Sequence, residues 1–277
     1  VVGSRRAPPP YVAHSDALMP YRLALGLAYD GTHFQGWQTQ PSGASVQDYL
    51  ERALASFVGE PVSSVCAGRT DAGVHAKGQV VHIDVKVERP VWNWIRGVNS
   101  FLPAGIRVQW VSPVSLDFHA RFSARSRAYR YTLYNHAVDS PLQSRFATWV
   151  FQPLDHLAMH EAAQALVGEH DFSSFRAAQC QAQSPVRRLS SVIVSRDNRL
   201  VTIDMRANAF LHHMVRNIVG SLVAVGQGVQ KEDHVANLLA VKDRRLADRT
   251  FPAQGLCLEH VEYDLLFVCE PESKSVD

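Results

Sequence analysis

Cys66-Ala67-Gly68-Arg69-Thr70-Asp71-Ala72-Gly73-Val74-His75-Ala76, with Val80-Val81-His82-Ile83-Asp84-Val85-Lys86-Val87 close behind it, is the stretch on which the fold turns. The first part sets an arginine and an aspartate between two glycines, with a histidine just beyond. The second alternates in period two, Val81, Ile83, Val85 and Val87 against Val80, His82, Asp84 and Lys86, as a strand does. Val62 to Cys66 is apolar and reads as a strand of its own. Gly68 and Gly73 carry no Cβ, so the chain can turn sharply there or lie close to another segment. Asp71 then stands at a strand end, where a rigid element can aim it into a cleft. Such a carboxylate can serve as nucleophile, general base or metal ligand; a polar turn closed by a local ion pair uses the same residues.

The flanking sequence builds a β-α-β-β-α-β unit around this stretch. Tyr21 to Tyr29 is a strand-like run ending at the Asp30-Gly31 turn. Ser45-Val46-Gln47-Asp48 offers a capping box, and Val46, Leu50, Ala53, Leu54 and Phe57 follow at helical spacing. Val91 to Phe101 reads as a helix stopped by Pro103, and Ile106 to Val111 as a strand. The second half repeats the order: a strand over Ala124 to Asn135, a helix over Leu154 to Val167 closed by Gly168, and a hairpin of Arg187 to Ser195 with Leu200 to Arg206. Asn208 can cap a helix running to about Gly226, a short helix spans Lys231 to Val241, and Leu256 to Tyr263 is the last strand. The expected class is α+β: two ferredoxin-like halves, 21–115 and 116–265, forming a largely antiparallel sheet with peripheral helices and a central cleft. Residues 1–20 read as a mobile lead-in and 266–277 as a tail.

Composition narrows the function. The 277 residues are 46% hydrophobic and 19% charged, enough for a substantial core. No apolar run approaches the length that spans a bilayer, and no signal core opens the chain. A net charge of +2 is weakly basic, so a nucleic-acid site must come from local clustering. Cys66, Cys180, Cys257 and Cys269 form no Cys-x-x-Cys pair, so reduced thiols in a cytoplasmic protein are expected.

Two further stretches carry chemistry. Phe118-His119-Ala120-Arg121-Phe122-Ser123-Ala124-Arg125-Ser126-Arg127-Ala128-Tyr129-Arg130-Tyr131 interleaves arginines with aromatics, the side chains that grip phosphates and stack on bases. As a strand it puts Arg127, Tyr129 and Tyr131 on one face and Arg130 on the other. Asn208-Ala209-Phe210-Leu211-His212-His213-Met214-Val215-Arg216-Asn217-Ile218-Val219-Gly220 reads as an apolar helix with Arg216 on its flank, an arginine that calls for a carboxylate partner. On a helix, the adjacent His212 and His213 cannot share a face, so no metal pair is expected there. His160-Glu161-Ala162-Ala163-Gln164 misses the zinc pattern because Gln164 stands where a second histidine belongs. His170 and Asp171 read as structural, and Lys242-Asp243-Arg244-Arg245 as a solvated helix end.

Gly68 to Ala76, Arg127 to Tyr131, the Arg216 segment and Gly255-Leu256-Cys257-Leu258 together resemble the TruA family of tRNA pseudouridine synthases. The Tyr29 to Gln38 stretch is similar to that family's first motif, which shapes the cleft. The resemblance runs from about Tyr21 to Tyr263 and implies the duplicated fold above. It also implies Asp71 as the essential catalytic residue, Tyr129 as the tyrosine contacting the target base, Arg216 against Asp71, and Leu256 as a wall of the uracil pocket. Arg69 would support base flipping, with Arg121 and Arg127 as further RNA contacts. The implied substrate is tRNA, at neighbouring uridines on the 3′ side of the anticodon stem-loop, and the implied assembly a cytoplasmic homodimer. No metal or cofactor is expected. A non-catalytic RNA-binding protein of the same topology lacks its usual aromatic signature here and has no need of Asp71. A histidine-rich metallohydrolase lacks ligand pairs at workable spacing.

Overall fold

The computed structural model describes residues 21–265 and 267. The lead-in over 1–20 and, apart from Phe267, the tail over 266–277 lie outside the described residues. The first half runs β1 (Tyr21–Tyr29), α1 (Val46–Val58), β2 (Ser64–Cys66), β3 (His75–Val85), α2 (Val91–Phe101) and β4 (Ile106–Val114). The second runs β5 (Ser126–Asn135), β6 (Thr148–Val150), α3 (His156–Gln164), β7 (Gly168–Asp171), β8 (Val186–Asp197), β9 (Leu200–Ala207), α4 (Met214–Gly226), α5 (His234–Val241) and β10 (Leu256–Glu262). All ten strands belong to one mostly antiparallel sheet of order β4-β1-β3-β10-β5-β9-β8-β7, with β2 added to β3 and β6 to β5. The architecture is α+β. The order β4-β1-β3-β2 recurs as β10-β5-β9-β8, so both halves thread their strands alike.

One strand makes the sheet continuous. β1 covers one edge of β3, and the other edge is divided. Its far end, Val81 to Ile83, takes β2, while His75 and Ala76 pair in parallel with Cys257 and Leu258 of β10. β10 then runs antiparallel to β5, Leu256 opposite Tyr131 and Leu258 opposite Tyr129. Gly78 lies where β3 crosses β10: a Cβ there would stand 2.3 Å from the Glu259 carbonyl oxygen, so only glycine permits the approach. The period-two pattern starting at Val80 shows only the distal part of this strand. Lys77-Gly78-Gln79 breaks the apolar rhythm, yet pairing on either side of it, His75 and Ala76 with β10 and Ala76 and Gln79 with β1, holds it extended.

Local signals fix the helices. Ser45 accepts from the Asp48 N–H and Asp48 accepts from the Ser45 N–H, closing the expected capping box of α1. Its buried Val46, Leu50, Ala53 and Leu54 join Trp94 and Val98 of α2 and the alternating Leu23, Leu25 and Leu27 of β1 in the core. α3 begins later than expected because Asp155 accepts from the Leu157 and Ala158 N–H groups, and it ends before Gly168. Gly168 instead opens β7, which pairs with β8 at the edge of the sheet. α5 starts at His234 rather than Lys231, and β6 was not expected at all.

His82 ties the loop before β5 to the sheet. Its buried Nδ1 accepts the Ala120 N–H at 3.1 Å, and its ring meets Phe118 and His119. Burial, helped by the Arg22 charge, brings its pKa from 6.5 down to about 4. Above about pH 6.5 the ring is neutral in both folded and unfolded chains. As pH falls towards 4 the unfolded chain takes up the proton first, so stability is lost across that window. Between about pH 7 and pH 4.5 the wild type is expected to lose roughly 2 kcal/mol more in urea unfolding than His82→Asn, which has no ring to protonate. Equal losses would show that His82 does not govern this window.

Candidate active site

Asp71 lies in the turn between β2 and β3, and the motif that follows β1 holds this turn in shape. The Trp37 N–H donates to the Thr70 carbonyl at 2.9 Å, and the Tyr29 hydroxyl meets Thr70 Oγ1 at 2.8 Å. Fully buried Gln79 donates to the Gly68 carbonyl at 2.6 Å. Gly73 adopts φ +80°, a left-handed turn that closes with the Val74 N–H on the Asp71 carbonyl. A Cβ on Gly68 would meet nothing nearer than the Tyr129 hydroxyl at 3.8 Å, so Gly68 is not sterically required. Tyr29, Phe34 and Trp37 are therefore a buried brace beneath the aspartate.

The second half supplies the partner. Arg216 of α4 places Nη1 3.1 Å from Asp71 Oδ2, and its Nε donates to the Phe251 carbonyl at 2.7 Å. The Phe251 N–H returns a bond to the Arg216 carbonyl. With 15% of the Arg216 side chain and 21% of the Asp71 side chain exposed, the pair is sheltered but reachable. The guanidinium is anchored through Nε and spends Nη1 on the carboxylate, which fixes the carboxylate's direction as well as its charge.

The helix expected from Asn208 starts instead at Met214. His213 takes the left-handed conformation, φ 61°, immediately before it. This kink corrects the reading of the two histidines: because neither lies in the helix, both rings face the same way. His212 Nε2 stands 3.3 Å from Asp71 Oδ1 and His213 Nε2 3.4 Å from Oδ2. Burial keeps the His213 ring below the usual imidazole range, against the pull of the Asp71 charge. Non-glycine residues seldom adopt this backbone, and its cost is of the kind met at functional sites. Nothing in the residue pattern marks the kink; two adjacent histidines in an apolar run read as helix.

Tyr129 faces the same cleft from β5 and is 8% exposed. Among the described residues its hydroxyl makes no hydrogen bond, so it is free for a ligand. Burial, then the neighbouring Tyr29 and Asp71, pushes its pKa well above the ordinary phenol value, keeping it protonated. Phe210, which the sequence did not single out, packs edge-on against it at 5.0 Å. Leu256 is buried at the start of β10, one strand from Tyr129, and Tyr131 is core, its hydroxyl held by Thr148 and Pro252.

The arginines divide. Arg69 and Arg121 are exposed; Arg69 has no polar partner among the described residues, and Arg121 lies over the exposed Phe122 ring at 5.5 Å. Arg130 is paired with Asp204. Arg127, expected to contact RNA, is buried, and its guanidinium donates to four backbone carbonyls: Ala67, Arg121, Ala124 and Asn208. It thereby joins the end of β2, the loop before β5 and the start of the histidine segment. Burial lowers its pKa, and the carbonyl dipoles offset part of the cost of holding the charge there. The strand spacing sets this arginine on the face of Tyr129 and Tyr131, away from Arg130, but does not show the carbonyls that engage it.

With this geometry in place, comparison identifies the lineage. The model of the tRNA pseudouridine synthase family matches residues 27–123 and 162–264. The chain belongs to that family. It is 57% identical over 244 residues to a tRNA pseudouridine synthase A of Bordetella petrii, covering 87% of this chain and 91% of the relative. Identity is 54% over 248 residues to that of Bordetella avium (89% and 93% covered) and 53% over 250 residues to that of Burkholderia cenocepacia (90% and 93%). Among solved structures, a Cbf5-Nop10-Gar1 complex aligns over 73% of this chain and 45% of its own at 11% identity, with a TM-score of 0.32.

Arg127→Gln is expected to lower stability by about 2–4 kcal/mol, since several buried carbonyls lose their donor, while leaving the salt dependence of RNA binding unchanged. Arg69→Ala is expected to do the opposite, leaving stability alone and reducing the slope of log K against log salt by roughly 0.7–0.9. A reduced slope for the Arg127 variant would return it to the RNA contacts.

Proposed function

We propose that the chain converts uridine to pseudouridine in tRNA. The observation that carries this reading is the Asp71 carboxylate held by Arg216 beneath the free Tyr129 hydroxyl, within a chain of the pseudouridine synthase family. In the reaction the N1–C1′ bond breaks, the uracil turns, C5 bonds to C1′, and the C5 hydrogen leaves as a proton while N1 takes one up. No electron is transferred. A stacked uridine cannot reach Asp71, so it must leave its helix, at a cost of a few kcal/mol. Exposed Arg69, two residues from Asp71, grips phosphate or fills the vacated space. Tyr129, with Phe210 behind it and Leu256 alongside, bounds the slot for the flipped base. Arg216 fixes the carboxylate towards that base, so the geometry is set before substrate arrives.

The substrate is the anticodon stem-loop, at neighbouring uridines on its 3′ side, and the enzyme acts as a cytoplasmic homodimer. Supporting the first is the resemblance of the Asp71, Tyr129, Arg216 and Leu256 motifs to the TruA family. Each half is a ferredoxin-like unit, a reading supported by the recurring strand order. Among the described residues no helix is long and apolar enough to cross a membrane.

The test is tritium release from unmodified tRNA transcripts labelled at uracil C5. Wild-type chain is expected to release tritium, and Asp71→Asn to release none while its tRNA affinity changes less than about twofold, as for an interaction used only in the transition state. Tight binding without release by the wild type would favour an RNA-binding protein without chemistry. Equal loss of binding and turnover in Asp71→Asn would reduce Asp71 to a structural residue.

A further inference from the structure

We infer that Asp71, His212 and His213 form a binding site for a divalent transition-metal ion such as Zn²⁺, and that an ion held there blocks the reaction. The site is ligand-competent by geometry. The carboxylate and the two imidazoles offer ligand atoms that all lie within 4.8 Å of one another. Zinc takes nitrogen and oxygen ligands at about 2.0–2.2 Å, which places ligand atoms roughly 3.3–3.6 Å apart around a tetrahedral ion. The two imidazole–carboxylate separations are 3.3 and 3.4 Å. Both are long for N–H···O hydrogen bonds, which cluster at about 2.7–3.2 Å, so the rings flank the carboxylate without being committed to it.

His212 lies against Oδ1 and His213 against Oδ2, so the carboxylate sits between the two imidazole nitrogens and one of its oxygens completes a set of three ligands. Arg216 uses one lone pair on Oδ2 and leaves the rest free. Its positive charge opposes the ion, which weakens the site and keeps it reversible. All three ligands are partly exposed, so an ion enters from the cleft. Two imidazoles and one carboxylate suit zinc, cobalt or nickel better than magnesium or calcium, which prefer all-oxygen sets.

The consequence for activity rests on the proposed function, because a metal-bound Asp71 is neutralised and withdrawn from the base slot. The binding itself does not. Tag-free full-length chain, stripped with EDTA and returned to chelator-free buffer, is titrated with Co²⁺ alone. One equivalent is expected to raise visible d–d absorption, displaced by Zn²⁺ and by excess tRNA. His213→Ala and Asp71→Asn are each expected to weaken Co²⁺ binding at least tenfold, with native-like circular dichroism and a cooperative thermal melt showing that both variants fold. Absence of the band, or a band of equal affinity in both variants, would overturn the site, the latter placing the ion on thiols or surface histidines. In the second arm, Zn²⁺ is expected to abolish tritium release and EDTA to restore it. Stoichiometric binding with undiminished release would overturn the inhibition. Failure of release under every condition would count against the functional reading, and the cobalt band would still decide the site.

Discussion

The ion pair between Asp71 and Arg216 joins residues 145 positions apart, and most of the architecture serves to bring them together. Asp71 comes from the turn between β2 and β3, Arg216 from the first turn of α4. They meet because β3 gives the first part of its free edge to β10, which is itself paired with β5. Glycine at position 78 allows the crossing of β3 and β10, and the buried Tyr29, Phe34 and Trp37 keep the aspartate turn from collapsing towards the core. A carboxylate in such a partly enclosed place is tolerable only with a fixed cation, and a cation there only with the carboxylate. Each half of the sheet therefore carries one member of a pair that the other half requires.

Around that pair the charges are sorted by what they can still do. Arg127 is fully engaged by carbonyls, and Arg130 by a carboxylate. Arg69 and Arg121 remain exposed beside the cleft. With a net charge of only +2, the attraction for a polyanion has to come from a few uncommitted side chains rather than from a general field. The buried Cys66 thiol and the half-buried Cys257 thiol, each pushed up to about 12 by desolvation, are inert at neutral pH and take no part.

Much of this is legible in the amino-acid order, for identifiable reasons. The Asp71 turn, the Tyr129 strand and the Arg216 helix are each local patterns; an arginine in an apolar helix calls for some carboxylate, and it is the family resemblance that names Asp71 as that partner. The α1 capping box and the alternation of β1 are likewise local. What the sequence conceals is non-local or depends on a single dihedral. The early start of β3 is sustained by β10, more than 170 positions away in the chain. His213 leaves the helical pattern through one left-handed residue, and that alone turns His212 and His213 onto the aspartate. Arg127 and Arg121 look alike as letters; the carbonyls that enclose Arg127 come from four separate positions. β6 and β7 are three and four residues long, too short to show a period.

The most direct measurement of the central claim is a double-mutant cycle on unfolding stability with Arg216→Gln, Asp71→Asn and the pair combined. The Arg216 bond to the Phe251 carbonyl is lost in both members that carry Arg216→Gln and cancels, so the cycle isolates the interaction with the carboxylate. The account predicts that Arg216→Gln is costly when Asp71 is present, by roughly 2–4 kcal/mol, because it strands a sheltered carboxylate, and clearly less costly when Asn stands at 71. Equal costs in the two backgrounds would mean that the pair is a proximity without energy, and that something other than this contact holds the two halves of the site together.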